Sequence, residues 1–349
     1  MEKIDLYSML PSELEELFAS LGEPKFRAKQ LFAEAAKGTR IDEITTLSKK
    51  LRQQLSEMTL DTLPTVEQKL VSRLDGTVKY LFKLYDGACI ESVLMKYKHG
   101  NTLCISSQVG CRMGCKFCAS TIAGRERDLL PSELLGQIVA AERDSGERVD
   151  NVVMMGIGEP LDNFDNVVKF LKLVGHPDGL NIGYRHISLS TCGIVPRIKE
   201  LADLELPITL SISLHAASDE KRSEIMPVNK KWSIDALLTA CADYYKKTGR
   251  RISFEYTLIS GKNDTEADAR ELAMLLKRYL GPIRAPIHVN LIRVNEVKET
   301  GFRAGTTDSA KRFAEMLEER GVVATVRRRL GTDVNAACGQ LRRSAMEQK

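Results

Sequence analysis

Between residues 101 and 329 the sequence alternates strand-like and helix-like runs, and this alternation limits the fold more than any other feature. Apolar runs of strand length occur near 101–107, 151–157, 186–191, 208–214, 252–259, 287–294 and 322–329. Runs with helical spacing separate them, at 131–145, 162–175, 195–204, 233–248, 265–280 and 307–320. Strand, helix and strand in regular succession mean parallel strands joined by helical crossovers. The expected fold class is therefore α/β, a partial or full (β/α) barrel whose chemistry gathers at the C-terminal ends of the strands.

The residues at those strand ends fit that rule. The first strand runs into Cys104-Ile-Ser-Ser-Gln-Val-Gly-Cys-Arg-Met-Gly-Cys-Lys-Phe-Cys118, which holds four of the eight cysteines. Cys111, Cys115 and Cys118 are spaced C-x3-C-x2-C, and closely spaced thiolates on a loop grip a soft metal or an iron–sulfur cluster. Three thiolates on a [4Fe–4S] cluster leave one iron open. Gly110 and Gly114 let the backbone wrap closely, and Phe117 could shield one face from water. A structural zinc site with Cys104 as fourth ligand is the competing reading, although such sites usually come as two C-x2-C pairs. A disulfide pair is disfavoured because nothing in the chain looks secreted. The later strand ends carry Gly156-Ile-Gly-Glu-Pro-Leu161, Ser188-Leu-Ser-Thr-Cys-Gly193, Ser211-Ile-Ser-Leu-His215, Asn290-Leu-Ile-Arg-Val-Asn295 and Gly331-Thr-Asp-Val-Asn-Ala-Ala-Cys-Gly-Gln-Leu341. Glycines there permit close backbone approach, and Glu159, Ser190, Ser213 and Asn295 offer hydrogen-bond partners for an amino acid and a ribose. Each motif alone reads as a strand-end turn; their coincidence on one rim carries the weight.

Ahead of the barrel the pattern changes twice. Residues 1–60 read as amphipathic helices studded with Lys25, Arg27, Lys29, Lys49, Lys50 and Arg52. These are solvated helix faces or an RNA-touching surface. Asp75-Gly76 and Asp86-Gly87 then separate strand-like runs at 67–74, 77–84 and 88–97, the signature of a three-stranded meander. Glu91 falls on its third strand, at a position that could be solvent-facing. The expected layout is a helical module at 1–60, a meander linker at 61–98, a barrel at 99–330 and a C-terminal loop and basic tail at 331–349.

The 349 residues, 43% apolar and 28% charged, are ordinary for a globular protein with ample core. No apolar run is long enough to span a bilayer, and the charged N-terminus lacks a secretory segment. A cytoplasmic protein with no membrane association is expected, whose cysteines serve metal or redox chemistry. Of the net charge of +4, all resides in residues 327–349, through Arg327-Arg-Arg329 and Arg342-Arg343. Such a patch suits a phosphate-rich partner, or is simply a solvated strand end and tail. Cys89, Cys192 and Cys241 sit in apolar runs and read as small core residues.

The C-x3-C-x-Phe-C loop after a strand resembles the cluster motif of the radical S-adenosylmethionine (SAM) superfamily. With Cys104-Ile-Ser-Ser-Gln-Val-Gly-Cys, Gly156-Ile-Gly-Glu-Pro-Leu, Ser213-Leu-His, Asn290-Leu-Ile-Arg-Val-Asn and Asn335-Ala-Ala-Cys-Gly-Gln-Leu, nearly the whole chain resembles the RlmN family of radical SAM RNA methyltransferases. The resemblance implies a barrel of the radical SAM type, one [4Fe–4S] cluster on Cys111, Cys115 and Cys118, and two SAM molecules per turnover. It implies methylation at C2 of an adenosine in 23S rRNA and of one beside the tRNA anticodon. Adenine C2 lies between two ring nitrogens and has no lone pair, so radical addition rather than displacement is called for. The implied roles are Cys338 as S-methylcysteine intermediate, Cys104 as its transient disulfide partner and Glu91 as proton acceptor. Gly158, Glu159, Ser190, Ser213, Leu214, His215 and Asn295 would bind SAM. A monomer served by an electron donor of the flavodoxin or ferredoxin kind is expected. Related enzymes methylate C8 of the same rRNA adenosine and tend to carry Ala after Gly-Glu; Pro160 here favours C2. A non-catalytic RNA-binding protein with a structural metal is the remaining alternative.

Overall fold

The computed structural model describes residues 3–295 and 301–334. Three helices come first: α1 (Pro11–Ser20), α2 (Lys25–Ala35) and α3 (Lys49–Met58). Pro11 opens α1 at the position where its missing N–H costs nothing. The Ser48 hydroxyl caps α3 by accepting from Leu51 N. Leu14, Phe18, Leu31, Phe32, Leu51 and Leu55 make a small core of their own, and Leu173 of the barrel completes it.

The meander follows as β1 (Thr65–Val71), β2 (Val78–Lys83) and β3 (Cys89–Tyr97). Both turns are those read from Asp-Gly: Gly76 and Gly87 have φ of +72° and +84°. The meander is no detached linker, because β3 pairs antiparallel with β4 (Gly100–Cys104). A short hairpin, β5 (Gln108–Gly110) with β6 (Arg125–Asp128), brackets the cysteine loop and was not expected from the sequence.

The remaining elements are α4 (Pro131–Ser145), β7 (Asn151–Met154), α5 (Phe164–Val174), β8 (Ile187–Thr191), α6 (Val195–Asp203), β9 (Thr209–Ser213), α7 (Asp219–Ile225), α8 (Ile234–Thr248), β10 (Ile252–Leu258), α9 (Glu266–Leu280), β11 (Ile287–Arg293), α10 (Thr307–Glu319) and β12 (Val323–Val326). One ten-stranded sheet runs β1-β2-β3-β4-β7-β8-β9-β10-β11-β12, parallel from β4 onward.

Alternation along the strands decides what each face does. Leu103, Val152, Met154, Ile187, Leu189, Leu210, Ile212, Phe254, Tyr256, Val289 and Leu291 are buried in the main apolar core. The intervening positions form a polar face: Ser188, Ser190, Ser211, Ser213, Ser253, Glu255, His288 and Asn290. Registers align Ser190 with Ser211, Ser211 with Ser253, and Glu255 with both Ser213 and Asn290. The sheet curls around this polar face. Arg327, just past β12, reaches across to put Nη1 3.8 Å from Sδ of Met155, just past β7. The result is a partial barrel with a polar interior.

Candidate active site

The cysteine loop is held by backbone rather than by side-chain packing. Gly110 has φ +80°, and a Cβ there would lie 1.9 Å from the Gly124 carbonyl oxygen, so only glycine fits. Gly124 O in turn accepts from Cys111 N at 3.0 Å. The Thr121 hydroxyl donates to the carbonyls of Cys115 and Cys118, and Lys116 N donates to Ile225 O of α7. Cys111 is buried and Cys115 and Cys118 half-buried, all as free thiols.

These residues fit an iron–sulfur cluster. Burial pushes the three thiols up, Cys111 to about 12, and Cys111 and Cys115 each feel the charge of Cys118. Thiolates crowded in such surroundings need a metal's opposing charge. A tetrahedral zinc would gather its sulfurs to about 3.8 Å of one another. Among the described residues no three His, Cys, Asp or Glu side chains converge on a single-ion site. Cys104 has Arg327 and Glu91 as its charged neighbours rather than the loop cysteines, which speaks against a fourth-ligand role.

Phe117 packs edge-on against the His215 ring, centroids 4.9 Å apart, so its contact is with the end of β9. Burial, with Arg222 nearby, drives the His215 pKa down to about 3. The ring is neutral, and its Nδ1 accepts from Thr257 N at 2.9 Å. Leu214 is fully buried, and its N–H donates to Glu255 O. Ser190 and Ser213 put their hydroxyls 3.5 Å apart on the polar face. Gly158 has φ +107°, and a Cβ there would strike Gln108 N at 2.7 Å.

The Glu159 carboxylate behaves differently from the expected ligand contact. It is buried, and it accepts from Cys192 N at 2.7 Å and Leu161 N at 3.1 Å, tying the loop after β7 to the end of β8. Burial raises its pKa. Asn295 is exposed, its Oδ1 accepting from Arg329 Nη2 at 3.3 Å. Asn290 lies within β11, inside the strand run expected at 287–294, and its Nδ2 donates to Glu255 Oε2 at 2.7 Å.

Glu91 differs most from its expected setting. It is 2% exposed, and its Oε2 lies 3.1 Å from Nζ of Lys79, which is 0% exposed. Register explains the meeting. Lys79 stands opposite Val93, and Val93 opposite Cys104, while Glu91 is two residues before Val93. All three polar side chains therefore share the interior face. Arg327 joins them electrostatically, so it is no solvated tail residue. Arg328 instead lies over the Tyr97 ring. Beyond it the chain is pinned to the β1–β2 turn: Gly331 N donates to Asp75, while Ser72 Oγ and Arg73 N donate to Asp333. Cys338, Arg342 and Arg343 lie outside the described residues.

The sequence reading missed Lys79, Glu255 and Arg222. Arg222, fully buried, donates to Leu214 O, Cys192 O, Ser213 O and Asn229 Oδ1, joining the ends of β8 and β9. In sequence it looks like any charge on the short acidic helix α7. The signal for Lys79 was available: it sits in the middle of an apolar strand run, Val78-Lys-Tyr-Leu-Phe.

A curled parallel sheet with a C-x3-C-x2-C loop after its first barrel strand defines a radical SAM enzyme. Accordingly, residues 105–275 match the radical SAM superfamily model. Residues 4–60 match a model described as the ribosomal RNA large subunit methyltransferase N-terminal domain. A chain from Alkaliphilus oremlandii, "Probable dual-specificity RNA methyltransferase RlmN", is 53% identical over 99% of this chain and 100% of its own length. A Clostridium botulinum chain of the same name is 54% identical over 97% of this chain and 96% of its own. The crystal structure of a radical SAM methyltransferase from Sphaerobacter thermophilus superposes with a TM-score of 0.90 at 40% identity, covering 97% of this chain and 98% of that one. The chain belongs to the RlmN family of radical SAM RNA methyltransferases. It is thus an enzyme, which sets aside the non-catalytic alternative. Its superfamily works with a [4Fe–4S] cluster and SAM.

Proposed function

We propose that the chain methylates C2 of an adenosine in 23S rRNA, at the peptidyl-transferase centre, and of the adenosine beside the tRNA anticodon. The carbon travels by way of an S-methylcysteine on Cys338. What supports this most is that Cys104 and Glu91, a thiol and a carboxylate, share the barrel's interior face beside the segment that leads to Cys338. The name of the Alkaliphilus and Clostridium relatives, a dual-specificity RNA methyltransferase, agrees with two kinds of RNA substrate.

In this reading Cys111, Cys115 and Cys118 hold the cluster. Gly158, Glu159, Ser190, Ser213, Leu214, His215 and Asn295 surround SAM, with Glu159, Leu214 and His215 contributing through backbone and fixed geometry. When bound, the two groups supply the methyl group and a carbon radical, with two SAM molecules consumed per turnover. Cys338 carries the one-carbon unit to adenine C2. Glu91 accepts the proton that leaves C2, and the one electron by which the radical adduct exceeds the rearomatised ring would be taken up by the cluster, when bound. Cys104 attacks the Cys338 sulfur, an S–S bond replaces the S–C bond, and the carbon departs with the bonding pair and takes up a proton. A flavodoxin- or ferredoxin-type donor supplies the electrons that reset the enzyme. The helical module (1–60) and the basic C-terminal tail are assigned to RNA backbone contact, and the enzyme to the cytoplasm as a monomer. The target base must leave its stack to reach the barrel interior.

The test is anaerobic. Protein reconstituted with iron and sulfide, given dithionite, SAM and RNA, is expected to release 5′-deoxyadenosine and carry a methyl on the Cys338 peptide. NMR of the digested RNA is expected to show methyl at C2. A methyl at C8, or an unmodified Cys338 peptide in an enzyme that methylates RNA, would overturn the reading.

A further inference from the structure

The buried pair Lys79–Glu91 is unlike the surface ion pairs of this chain. Both partners are almost wholly enclosed, and their oxygen and nitrogen are 3.1 Å apart. The pair stands on β2 and β3, in the part of the sheet that precedes the barrel proper. Removing two charges from water is costly, and a buried ion pair is weak evidence of stabilisation. An apolar side chain would fill such a position as readily as Leu81 does, which stands opposite Glu91 on the same face and is buried. The pair also shares its face with Cys104, whose thiol feels the Glu91 charge. Pairing anchors one carboxylate oxygen on a side chain that is itself locked in the wall. Glu91 is further fixed through its backbone, whose carbonyl accepts from the Ser106 hydroxyl at 2.6 Å. Ser106 Oγ also accepts from Ile157 N, so the strand carrying Glu91 is tied to the loop between β7 and Gly158.

We infer that Lys79 is a positioning residue for proton removal from the nucleobase. It aims the Glu91 carboxylate and supplies its counter-charge before the base enters. This deepens the proposed function and rests on Glu91 being the proton acceptor. In the step concerned, the C2–H bond yields its proton to a Glu91 oxygen while the bonding pair stays with the ring. Lys79 keeps its proton throughout. A general base held in place contributes on the order of 100-fold or more to such a step, and a mis-aimed one forfeits much of it.

The experiment compares Lys79→Met, Lys79→Arg and Glu91→Gln in the reconstituted full chain, with an RNA carrying the target adenosine. Four quantities are read: 5′-deoxyadenosine, methyl on Cys338, methylated RNA, and covalent protein–RNA adduct on denaturing gels. RNA deuterated at C2 is run beside unlabelled RNA. Lys79→Met is expected to keep SAM cleavage and Cys338 methylation within about twofold while methylated RNA falls roughly 100-fold and adduct accumulates. The deuterium effect on product release should grow, and Lys79→Arg should recover most of the loss. Wild-type RNA turnover in Lys79→Met would overturn the proposal. So would a parallel loss of SAM cleavage and Cys338 methylation, because that is the mark of a purely structural pair. Glu91→Gln separates the two ideas. If it traps adduct while Lys79→Met turns over normally, only the role of Lys79 falls. If Glu91→Gln itself methylates RNA normally, the acceptor assignment falls and takes this inference with it.

Discussion

Cys104 closes β4 with Glu91 and Arg327 as its charged neighbours, and burial pushes its thiol up against the pull of Arg327. In the proposed mechanism, the thiol that later attacks a sulfur is thus kept protonated until something changes its surroundings. We expect Cys104→Ser to retain SAM cleavage and Cys338 methylation, to release no methylated RNA, and to accumulate a covalent protein–RNA species. Denaturing gel electrophoresis checks this, and normal turnover would remove Cys104 from the release step. His215 supports a different prediction at the same scale. Its folded pKa of about 3 lies below the ordinary 6.5, so the unfolded chain binds a proton that the native chain does not. Stability should therefore be full above about pH 6.5 and fall as the pH drops towards 3, at up to about 1.4 kcal/mol per pH unit. Urea midpoints of the apo protein at pH 5 and pH 7.5 measure it, and His215→Gln should flatten the difference. Little of this was legible in sequence. The residue types at Cys104 and His215 were readable, but the charges facing them, Glu91 and Arg327 at Cys104 and Arg222 at His215, are brought there by strand register, sheet curling and the fold of α7.

The cysteine loop is the element most fully written in the local sequence. Its spacing, its glycines and its position after a strand all lie within fifteen consecutive residues, Cys104 to Cys118. Gly110→Ala should force the loop off Gly124 O, and the purified protein should hold less iron and show weaker charge-transfer absorption, with its far-ultraviolet circular dichroism unchanged. Full iron content in that variant would show that the loop tolerates the displacement. The clamp behind the loop was invisible by the same standard. Nothing near Arg222 in sequence marks it as buried, because the carbonyls it binds belong to the end of β9 and the turns after β8 and β9. Arg222→Met leaves those acceptors without their donor, at about 1–3 kcal/mol for each buried group left unpaired. A drop in urea midpoint with unchanged slope would register it, and a midpoint equal to wild type would contradict the clamp.

At the scale of the molecule, three units meet around one barrel. The helical module packs on α4 and α5: Lys169 pairs with Glu13, and the Ser132 hydroxyl donates to Asp5. Its basic residues Lys25, Lys29, Lys49 and Lys50 remain exposed. On the other side, the segment leading to Cys338 is tied to the β1–β2 turn through Asp75 and Asp333. Against the effect of burial, the hydrogen bonds from Gly331 and Thr77 hold the Asp75 carboxyl down to about 2. The tie is thus charged throughout the physiological range. Asp75→Asn with Asp333→Asn should slow methylation of Cys338 by roughly tenfold, the equivalent of about 1.4 kcal/mol lost from hydrogen bonds to charged groups. The iron content should stay unchanged. A single-turnover assay with labelled SAM reads the rate, and an unaltered rate would show that the segment finds its place without the tie.

The sequence by itself determined the alternation of strands and helices, the hairpins at both Asp-Gly pairs, and the cluster loop. Each of these is a matter of local periodicity, turn chemistry or ligand spacing, settled within a few residues. Only the tertiary structure decided which way the polar strand residues face. Register across β2, β3 and β4 buried Lys79 against Glu91 and set both beside Cys104. Curling of the sheet brought Arg327 to the same interior. A pairing register is a long-range property: a slip of one residue would turn each of these side chains to the opposite face, and no local pattern in Val78-Lys-Tyr-Leu-Phe specifies it.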